Sequence, residues 1–202
     1  MSSSGFFPTD PKQLRQRIKS YERKFRQEKK ARGDYDDGYG KRFLLGPLYM
    51  LAGDLQGALA HYEWYEKAFP DDCPEPYNQL TWALALHRAG RDQEAFRKLY
   101  QAMLANLYLV PYLLGETPQK LDIWHGSNHQ WLEYALSIPK ELLALWDQDA
   151  LAWARKVYDD PAAAEHRGKY IEVHRKLETE HRLPERSRLV DESARLEDIF
   201  DG

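Results

Sequence analysis

The sequence predicts an all-α fold, and three observations carry this prediction. Apolar residues recur at helical spacings of three and four, as in Leu14, Ile18, Tyr21 and Phe25. Asp-Pro pairs and glycines stand where helices would begin and end. No stretch shows the period-two alternation and turn chemistry of a β-strand. With 202 residues, of which 43 % are hydrophobic, the chain can bury a substantial core.

The first helix is predicted over residues 11–32. Residues 1–10 before it are expected to be a disordered N-terminus. Asp10 is placed to cap the helix, and Pro11 occupies the first turn, where its missing N–H is not needed. Together with the apolar stripe, this makes 11–32 a basic amphipathic helix. A loop follows over 33–40.

Four further helices are predicted as two hairpins. Gly53 and Gly90 mark the turns, since glycine readily takes the left-handed conformation that ends a helix. These two glycines are 37 residues apart, and so are Ala58 and Ala95. A fixed internal period of this size indicates stacked helix pairs. The predicted helices span 42–51, 55–69, 74–89 and 92–107.

The C-terminal third is also predicted to be helical, with breaks at prolines. Ser127 and Gln130 have the spacing of a capping box and would begin a helix over 127–137. Proline disfavours helical geometry in the residue before it, so Pro139 marks a break. Asp160 is placed to cap another helix. The remaining predicted helices span 139–158, 161–182 and a short final segment that carries Leu189, Leu196, Ile199 and Phe200.

Charge is unevenly distributed along the chain, whose net charge is −3. Residues 12–32 contain ten basic and two acidic residues, so this segment carries +8 and the rest carries −11. A solvated helix face is one interpretation, and a contact for RNA, DNA or an acidic partner is the other. The candidate basic patch consists of Arg15, Lys19, Arg23 and Lys30.

Cellular location is predicted from what the sequence lacks. The single cysteine, Cys73, cannot form an internal disulfide, which fits a cytoplasmic location. No basic segment followed by an apolar one opens the chain, so no secretory signal is expected. No apolar run is long enough for a transmembrane helix, so no membrane association is expected.

Signals for catalysis and metal binding are weak. No phosphate-binding glycine loop and no nucleophile elbow occur. The acidic surroundings of Cys73 disfavour a thiolate. His125 and His129 have helical metal-ligand spacing with Glu133, but Gly126 interrupts that face. We therefore expect that the chain has no catalytic activity and binds no metal or cofactor. A metal-dependent activity at His125 and His129 ranks third, after the two functions considered below. A calcium loop at Asp34, Asp36 and Gly38 is rejected because it lacks the bidentate acid.

The two hairpins resemble the tetratricopeptide repeat (TPR) family over residues 42–107. In the second hairpin, Gly90, Ala95 and Ala102 fit the family pattern. The first hairpin departs from it at Arg42, where an aromatic residue belongs, and at Tyr65, where a small one belongs. The matching positions of the first hairpin are Leu45, Gly46, Tyr49, Gly53, Asp54, Ala58, Tyr62 and Pro70.

The resemblance implies a TPR-like helical domain over 41–202, with about two repeats and extra N- and C-terminal helices. It implies a non-catalytic protein–protein interaction module, such as an adaptor, scaffold or regulatory subunit. The family's clamp for acidic peptides is absent, and the extra helices are expected to fill the apolar inner face. The alternative is a nucleic-acid-associated factor that uses residues 12–32. Candidate partner contacts on the inner face are Tyr77, Leu84, His87 and Arg88.

Overall fold

The computed structural model describes residues 6–35, 37 and 40–197, and it confirms the all-α prediction. No strand occurs in these ranges, and none of their helices combines the length and apolar character needed to cross a bilayer. The α-helices are α1 (Pro11–Arg32), α2 (Lys41–Leu51), α3 (Leu55–Ala68), α4 (Pro76–Arg88), α5 (Asp92–Ala105), α6 (Leu109–Leu113), α7 (Leu132–Leu136), α8 (Lys140–Leu143), α9 (Gln148–Tyr158), α10 (Pro161–Thr179) and α11 (Leu183–Glu197).

The chain divides into two compact units. Unit 1 comprises the described residues of Met1–Ala95 and Ile138–Asp147, and unit 2 those of Phe96–Ser137 and Gln148–Gly202. In unit 1, α2 packs against α1, α3, α4 and α8. In unit 2, α10 packs against α9 and α11, and α6 packs against α7 and α9. Helix α2 is therefore the centre of unit 1.

Helix α1 begins as the sequence predicts. The Asp10 carboxylate accepts a hydrogen bond from the backbone N–H of Gln13 at 2.8 Å, which satisfies one free donor of the first turn. Leu14, Ile18 and Phe25 are buried. Because α1 packs against α2, the apolar stripe of this helix is docked. Its basic residues are exposed, except for the half-buried Arg17.

Packing begins before α1, in a segment that the sequence predicts to be disordered. Phe7 is only 1 % exposed. The guanidinium of Arg17 lies 6.0 Å from the Phe7 ring centre and donates to the carbonyl of Phe6 at 3.3 Å. The described chain is thus held from residue 6 onward, and residues 1–5 lie outside the described part.

Tyr62 of α3 lies at the centre of unit 1. Its side chain is fully buried and stacks on Trp82 of α4, with ring centres 4.8 Å apart and planes within 3°. Its hydroxyl hydrogen-bonds Thr81 at 2.9 Å. On α2, a Cβ added to Gly46 would lie 2.4 Å from the Tyr62 ring, so only glycine allows this approach. One ring therefore joins three helices.

The carboxylate of Asp72 binds both Arg42 and Tyr65, the two residues of the first hairpin that differ from the TPR sequence pattern. Arg42 contacts Asp72 through two hydrogen bonds, of 2.5 and 3.3 Å, and Tyr65 donates its hydroxyl to the same side chain at 2.9 Å. Arg42 also bonds the fully buried carboxylate of Asp37 and lies 5.1 Å from the Phe69 ring centre. This network ties α2 to the loops before and after the hairpin.

Ala58 is completely buried on α3. Replacing Ala58 with leucine is expected to overpack the core and lower the free energy of unfolding by roughly 1–3 kcal/mol. Urea denaturation monitored by circular dichroism measures the change. Ala60→Leu is the matched control, since Ala60 lies on the same helix and is exposed. Equal stabilities for the two variants would contradict this packing.

The helix predicted over 139–158 is wrong, because the chain forms two helices there. Helix α8 ends at Leu143 and α9 begins at Gln148. Between them the backbone carbonyl of Leu145 accepts a hydrogen bond from Arg88 of α4 at 2.5 Å, and Trp146 is 5 % exposed. A partner distant in sequence thus satisfies the backbone at this interruption.

The capping box predicted at Ser127 is also wrong. The Ser127 side chain makes no capping hydrogen bond, and Gln130 instead accepts from the backbone N–H of Gly126 at 2.6 Å. The segment forms a 3₁₀ turn over Asn128–Gln130, followed by the five-residue helix α7. The glutamine–glycine bond closes a loop where the sequence predicts a helix.

The start of α10 is confirmed by its cap, since the Asp160 carboxylate accepts from the backbone N–H of Ala163 at 2.9 Å. Pro184 lies within the first turn of α11, where its missing N–H is tolerated. Leu189 of α11 is buried against α10 residues, and Ile199 and Phe200 of the predicted final helix lie outside the described residues.

Candidate functional site

A groove on unit 1 is the candidate functional site. It encloses about 560 Å³ between α1 and α3, with α2 as its floor. The residues from α1 and those from α3 recur at spacings of three and four, so each helix presents one continuous face. The lining consists of Glu22, Phe25, Arg26, Lys29 and Lys30 of α1, Leu45 and Tyr49 of α2, Gly57, Ala60, His61 and Trp64 of α3, and Tyr35.

One wall of the groove is a cluster of packed aromatic rings around Trp64. Its ring centre lies 5.0 Å from those of Phe25 and Tyr35, 5.3 Å from that of His61 and 5.7 Å from that of Phe69. The indole N–H of Trp64 donates to the Tyr35 hydroxyl at 3.1 Å. These neighbours fix the ring and satisfy its polar atom, so the wall offers the groove a rigid apolar surface.

The rim of the groove is cationic at the C-terminal end of α1. Lys29 and Lys30 are exposed, and the Lys29 ammonium lies 5.1 Å from the Tyr35 ring centre. Within the ranges that the structure describes, no ion pair joins either lysine to a carboxylate. Two positive charges therefore stand beside apolar surface, which favours a ligand that is both apolar and anionic.

The opposite end of the groove carries a hydrogen-bonded carboxylate. Glu22 accepts a hydrogen bond from the Tyr49 hydroxyl at 2.5 Å, and Arg26 lies 4.0 Å from its other oxygen. Burial and the Glu22 carboxylate raise the pKa of the Tyr49 phenol, so it remains protonated. A Cβ on Gly57 would lie 2.6 Å from the Tyr49 ring, which places α3 close to this tyrosine. The two ends of the groove thus differ in charge.

His61 lies deep in the groove and is neutral at physiological pH. Its Nε2 is 2.8 Å from the backbone carbonyl of Arg42, so Nε2–H is the donor. Burial lowers the pKa of His61 to about 4. The ring therefore adds to the apolar floor and supplies no charge to a ligand.

This pKa predicts acid sensitivity. The unfolded chain has a histidine pKa of about 6.5, so it binds more protons than the folded chain between pH 6.5 and 4. Stability should therefore fall as the pH is lowered through this window, and His61 should contribute about 2 kcal/mol of the loss between pH 7 and 5. Urea unfolding at both pH values should show a smaller loss for His61→Asn. His181→Asn, at an exposed position, should keep the full loss. An unchanged loss in His61→Asn would contradict the prediction.

The predicted inner-face contacts lie together on α4 and differ in exposure. Leu84 is completely buried and does not reach solvent. Arg88 bonds the carbonyl of Leu145 and lies 3.2 Å from the Asp147 carboxylate. Tyr77 and His87 are partly exposed, and His87 Nδ1 lies 3.8 Å from a carboxylate oxygen of Asp92. The segment that includes α8 meets the C-terminal end of α4.

The predicted basic patch lies along the outside of α1. Arg15, Lys19, Arg23 and Lys30 are all exposed. The first three do not line the groove, whereas Lys30 does. The patch therefore consists of an outer ridge and one residue of the groove rim.

The histidines that suggested a metal site have other neighbours. The His125 ring lies 3.1 Å from the Tyr108 hydroxyl, and the ring centre of His129 lies 5.1 Å from that of Tyr134. Among the described residues, no three His, Cys, Asp or Glu side chains are grouped to hold a metal ion. The absence of a metal, cofactor and catalytic activity stays a prediction.

Sequence reasoning missed the aromatic half of the site. One face of α3 carries Gly57, Ala60, His61 and Trp64. Their helical spacing is the signal from which this face could have been predicted. The spacing alone does not identify a site, because the groove also requires that α1 lies alongside this face.

Comparison of the chain with protein-family models, with curated proteins and with solved structures gave no significant match.

Proposed function

We propose that this chain is a non-catalytic protein–protein interaction module, acting as an adaptor, scaffold or regulatory subunit. Its α1–α3 groove binds a segment of a partner protein. The observation that carries the proposal is the groove itself, which combines a rigid aromatic wall with cations at one rim. Interaction sites commonly combine apolar anchor pockets with a polar rim.

A TPR-like scaffold is part of this proposal. The approach of Gly46 to Tyr62 and the complete burial of Ala58 support a TPR-like hairpin formed by α2 and α3. We place the binding surface in the groove, however, and not on the inner face of α4. Arg88 is paired within the chain and Leu84 is buried, whereas the groove presents the half-exposed rings of Tyr35, Tyr49 and Trp64.

A nucleic-acid-associated factor remains the second candidate because of the exposed ridge of Arg15, Lys19 and Arg23. Such a ridge suits phosphate contacts. Single-stranded nucleic acids also need ring faces on which bases stack. Trp64 is surrounded by four other rings, which favours apolar side chains over bases in the groove. The cytoplasmic location stays a prediction.

The proposed function is tested by blocking the groove. Ala60 lines the groove and is exposed, so Ala60→Trp fills it without enlarging a buried side chain. Proteins that co-purify with the tagged wild-type chain should be lost with Ala60→Trp. The matched control is Ala152→Trp, at an exposed position of α9 in unit 2. A set of partners that is unchanged by Ala60→Trp would overturn the proposal.

The rim charges give a second, quantitative prediction. Lys29→Glu combined with Lys30→Glu should weaken binding of a captured partner about tenfold at low salt and less at high salt. The control pair Arg15→Glu and Lys19→Glu changes the net charge equally on the same helix, outside the groove. Titration calorimetry compares the two pairs. If both pairs weaken binding equally, and the purified protein has a raised ratio of absorbance at 260 nm to that at 280 nm, nucleic acid becomes the favoured ligand.

A further inference from the structure

We infer that the segment bound in the α1–α3 groove is an amphipathic α-helix that runs antiparallel to α1, with acidic residues in its first turn. The inference rests on the proposed function and specifies the partner and its orientation. It depends on three features of the groove, namely its direction, its distribution of charge and its apolar wall.

The two helices that flank the groove run in the same direction. Near the start of the groove, Tyr49 bonds Glu22 of α1 and packs beside Gly57 of α3. Further along both helices, Phe25 of α1 meets Trp64 of α3 with ring centres 5.0 Å apart. The C-termini of α1 and α3 therefore point the same way, and the negative ends of two helix dipoles lie at the lysine end of the groove.

An antiparallel helix fits this arrangement of dipoles. Its N-terminus, the positive end, would lie beside the negative ends of α1 and α3. The α1 face from Glu22 to Lys30 is about 12 Å long at 1.5 Å per residue, which accommodates two turns of a bound helix. A helix parallel to α1 would instead place like dipole ends beside both flanking helices. Only the floor helix α2 runs the other way, since its Lys41 pairs with Glu28 and its Tyr49 bonds Glu22.

Side-chain charges select the same orientation. In an antiparallel helix, first-turn glutamates or aspartates lie over Lys29 and Lys30. The opposite end of the groove carries no net positive charge, because Glu22 lies 4.0 Å from Arg26. Acidic residues at the N-terminus and basic residues at the C-terminus also stabilise an isolated helix. One charge pattern therefore favours both the helix and its contacts with the groove.

The apolar wall supplies the remaining contacts. Side chains at positions i, i+4 and i+7 of the bound helix would pack on the half-exposed rings of Tyr35, Trp64 and Tyr49. This is the helix-in-groove mode of recognition. Ala60 is small and exposed on the α3 side, so the backbone of a bound helix can approach closely there.

The test uses two designed peptides of about 14 residues, each just under four turns long when helical. Both have capped ends, identical composition and the same Leu/Phe face. One has three glutamates in the first turn and three lysines in the last, and the other has these charges exchanged. Binding is followed by titration and by the indole N–H resonances of the six tryptophans, of which Trp64 lines the groove.

The acid-first peptide should bind about tenfold more tightly than its counterpart and should shift the Trp64 resonance, which Trp64→Phe identifies. Ala60→Trp should abolish this binding, whereas Ala152→Trp should not. Lys29→Glu with Lys30→Glu should reverse the preference, and Arg15→Glu with Lys19→Glu should preserve it.

Other outcomes separate the inference from the proposed function. Equal, groove-dependent affinities for both peptides would overturn the orientation and leave a protein-binding groove. If neither peptide binds while Ala60→Trp still removes co-purifying proteins, the helical occupant is wrong and the proposed function stands. An oligothymidylate of about 12 nucleotides that binds the wild type but not Ala60→Trp would overturn both in favour of nucleic acid.

Discussion

Replacing Tyr62 with alanine is expected to lower the free energy of unfolding by about 3–5 kcal/mol, the range for deleting a large buried aromatic side chain. The ring is fully buried and stacks on Trp82 at 4.8 Å, so its loss leaves a cavity between α2, α3 and α4. The Thr81 hydroxyl, its hydrogen-bond partner, also bonds the carbonyl of Asn78 and stays satisfied. Cavity formation should therefore dominate, and urea denaturation measures it.

A double-mutant cycle with Gly46 tests the geometry behind this expectation. Gly46→Ala alone should destabilise the protein by roughly 1–3 kcal/mol, because its Cβ would overlap the Tyr62 ring. In the Tyr62→Ala background the same change should cost almost nothing. Gly168→Ala in α10 is the control, since no atom lies near its added Cβ and alanine should stabilise the helix by about 0.5–1 kcal/mol. Additive effects at Gly46 and Tyr62 would disprove their contact.

Local signals allowed much of the fold to be predicted. Asp10 and Asp160 cap their helices because a cap needs only residues within one turn. The hairpin turns at Gly53 and Gly90 both adopt positive φ, as glycine permits. Each of these features is determined by neighbours in sequence, so a single sequence suffices to predict it.

The wrong predictions concern residues whose partners are distant or unexpected. The chain interrupts the helix predicted over 139–158 where Arg88 binds the carbonyl of Leu145, 57 residues away. Periodicity alone did not indicate this break, because Leu142 and Trp146 keep helical spacing and both are buried. Helix-forming patterns are thus overridden where tertiary contacts satisfy a non-helical backbone.

The candidate site could be predicted only in part. The basic residues and the apolar stripe of α1 follow from their spacing. The sequence does not specify that Phe25 meets Trp64, because this contact depends on where α1 lies on α2 and α3. A groove between two helices is a property of their placement, so the sequence-based candidates were confined to single helix faces.

Ile18→Asp is the second variant with a large expected effect, and it tests the docking of α1. Ile18 is 6 % exposed, so the change removes a buried apolar side chain and places an unpaired carboxylate in the core. The free energy of unfolding should fall by about 3–5 kcal/mol. Arg15→Asp is the matched control, because it introduces the same residue on the exposed face of the same helix. Its stability should change by less than about 0.5 kcal/mol.

The same pair of variants separates packing from binding. Because α1 forms one side of the groove, a helix released by Ile18→Asp can no longer hold Lys29 and Lys30 beside the aromatic wall. Partner binding should then be lost in Ile18→Asp at temperatures where the remaining helices are still folded by circular dichroism, and retained in Arg15→Asp. If Ile18→Asp leaves both stability and binding unchanged, α1 is not docked. Its basic residues would then act as a free segment, as in the nucleic-acid alternative.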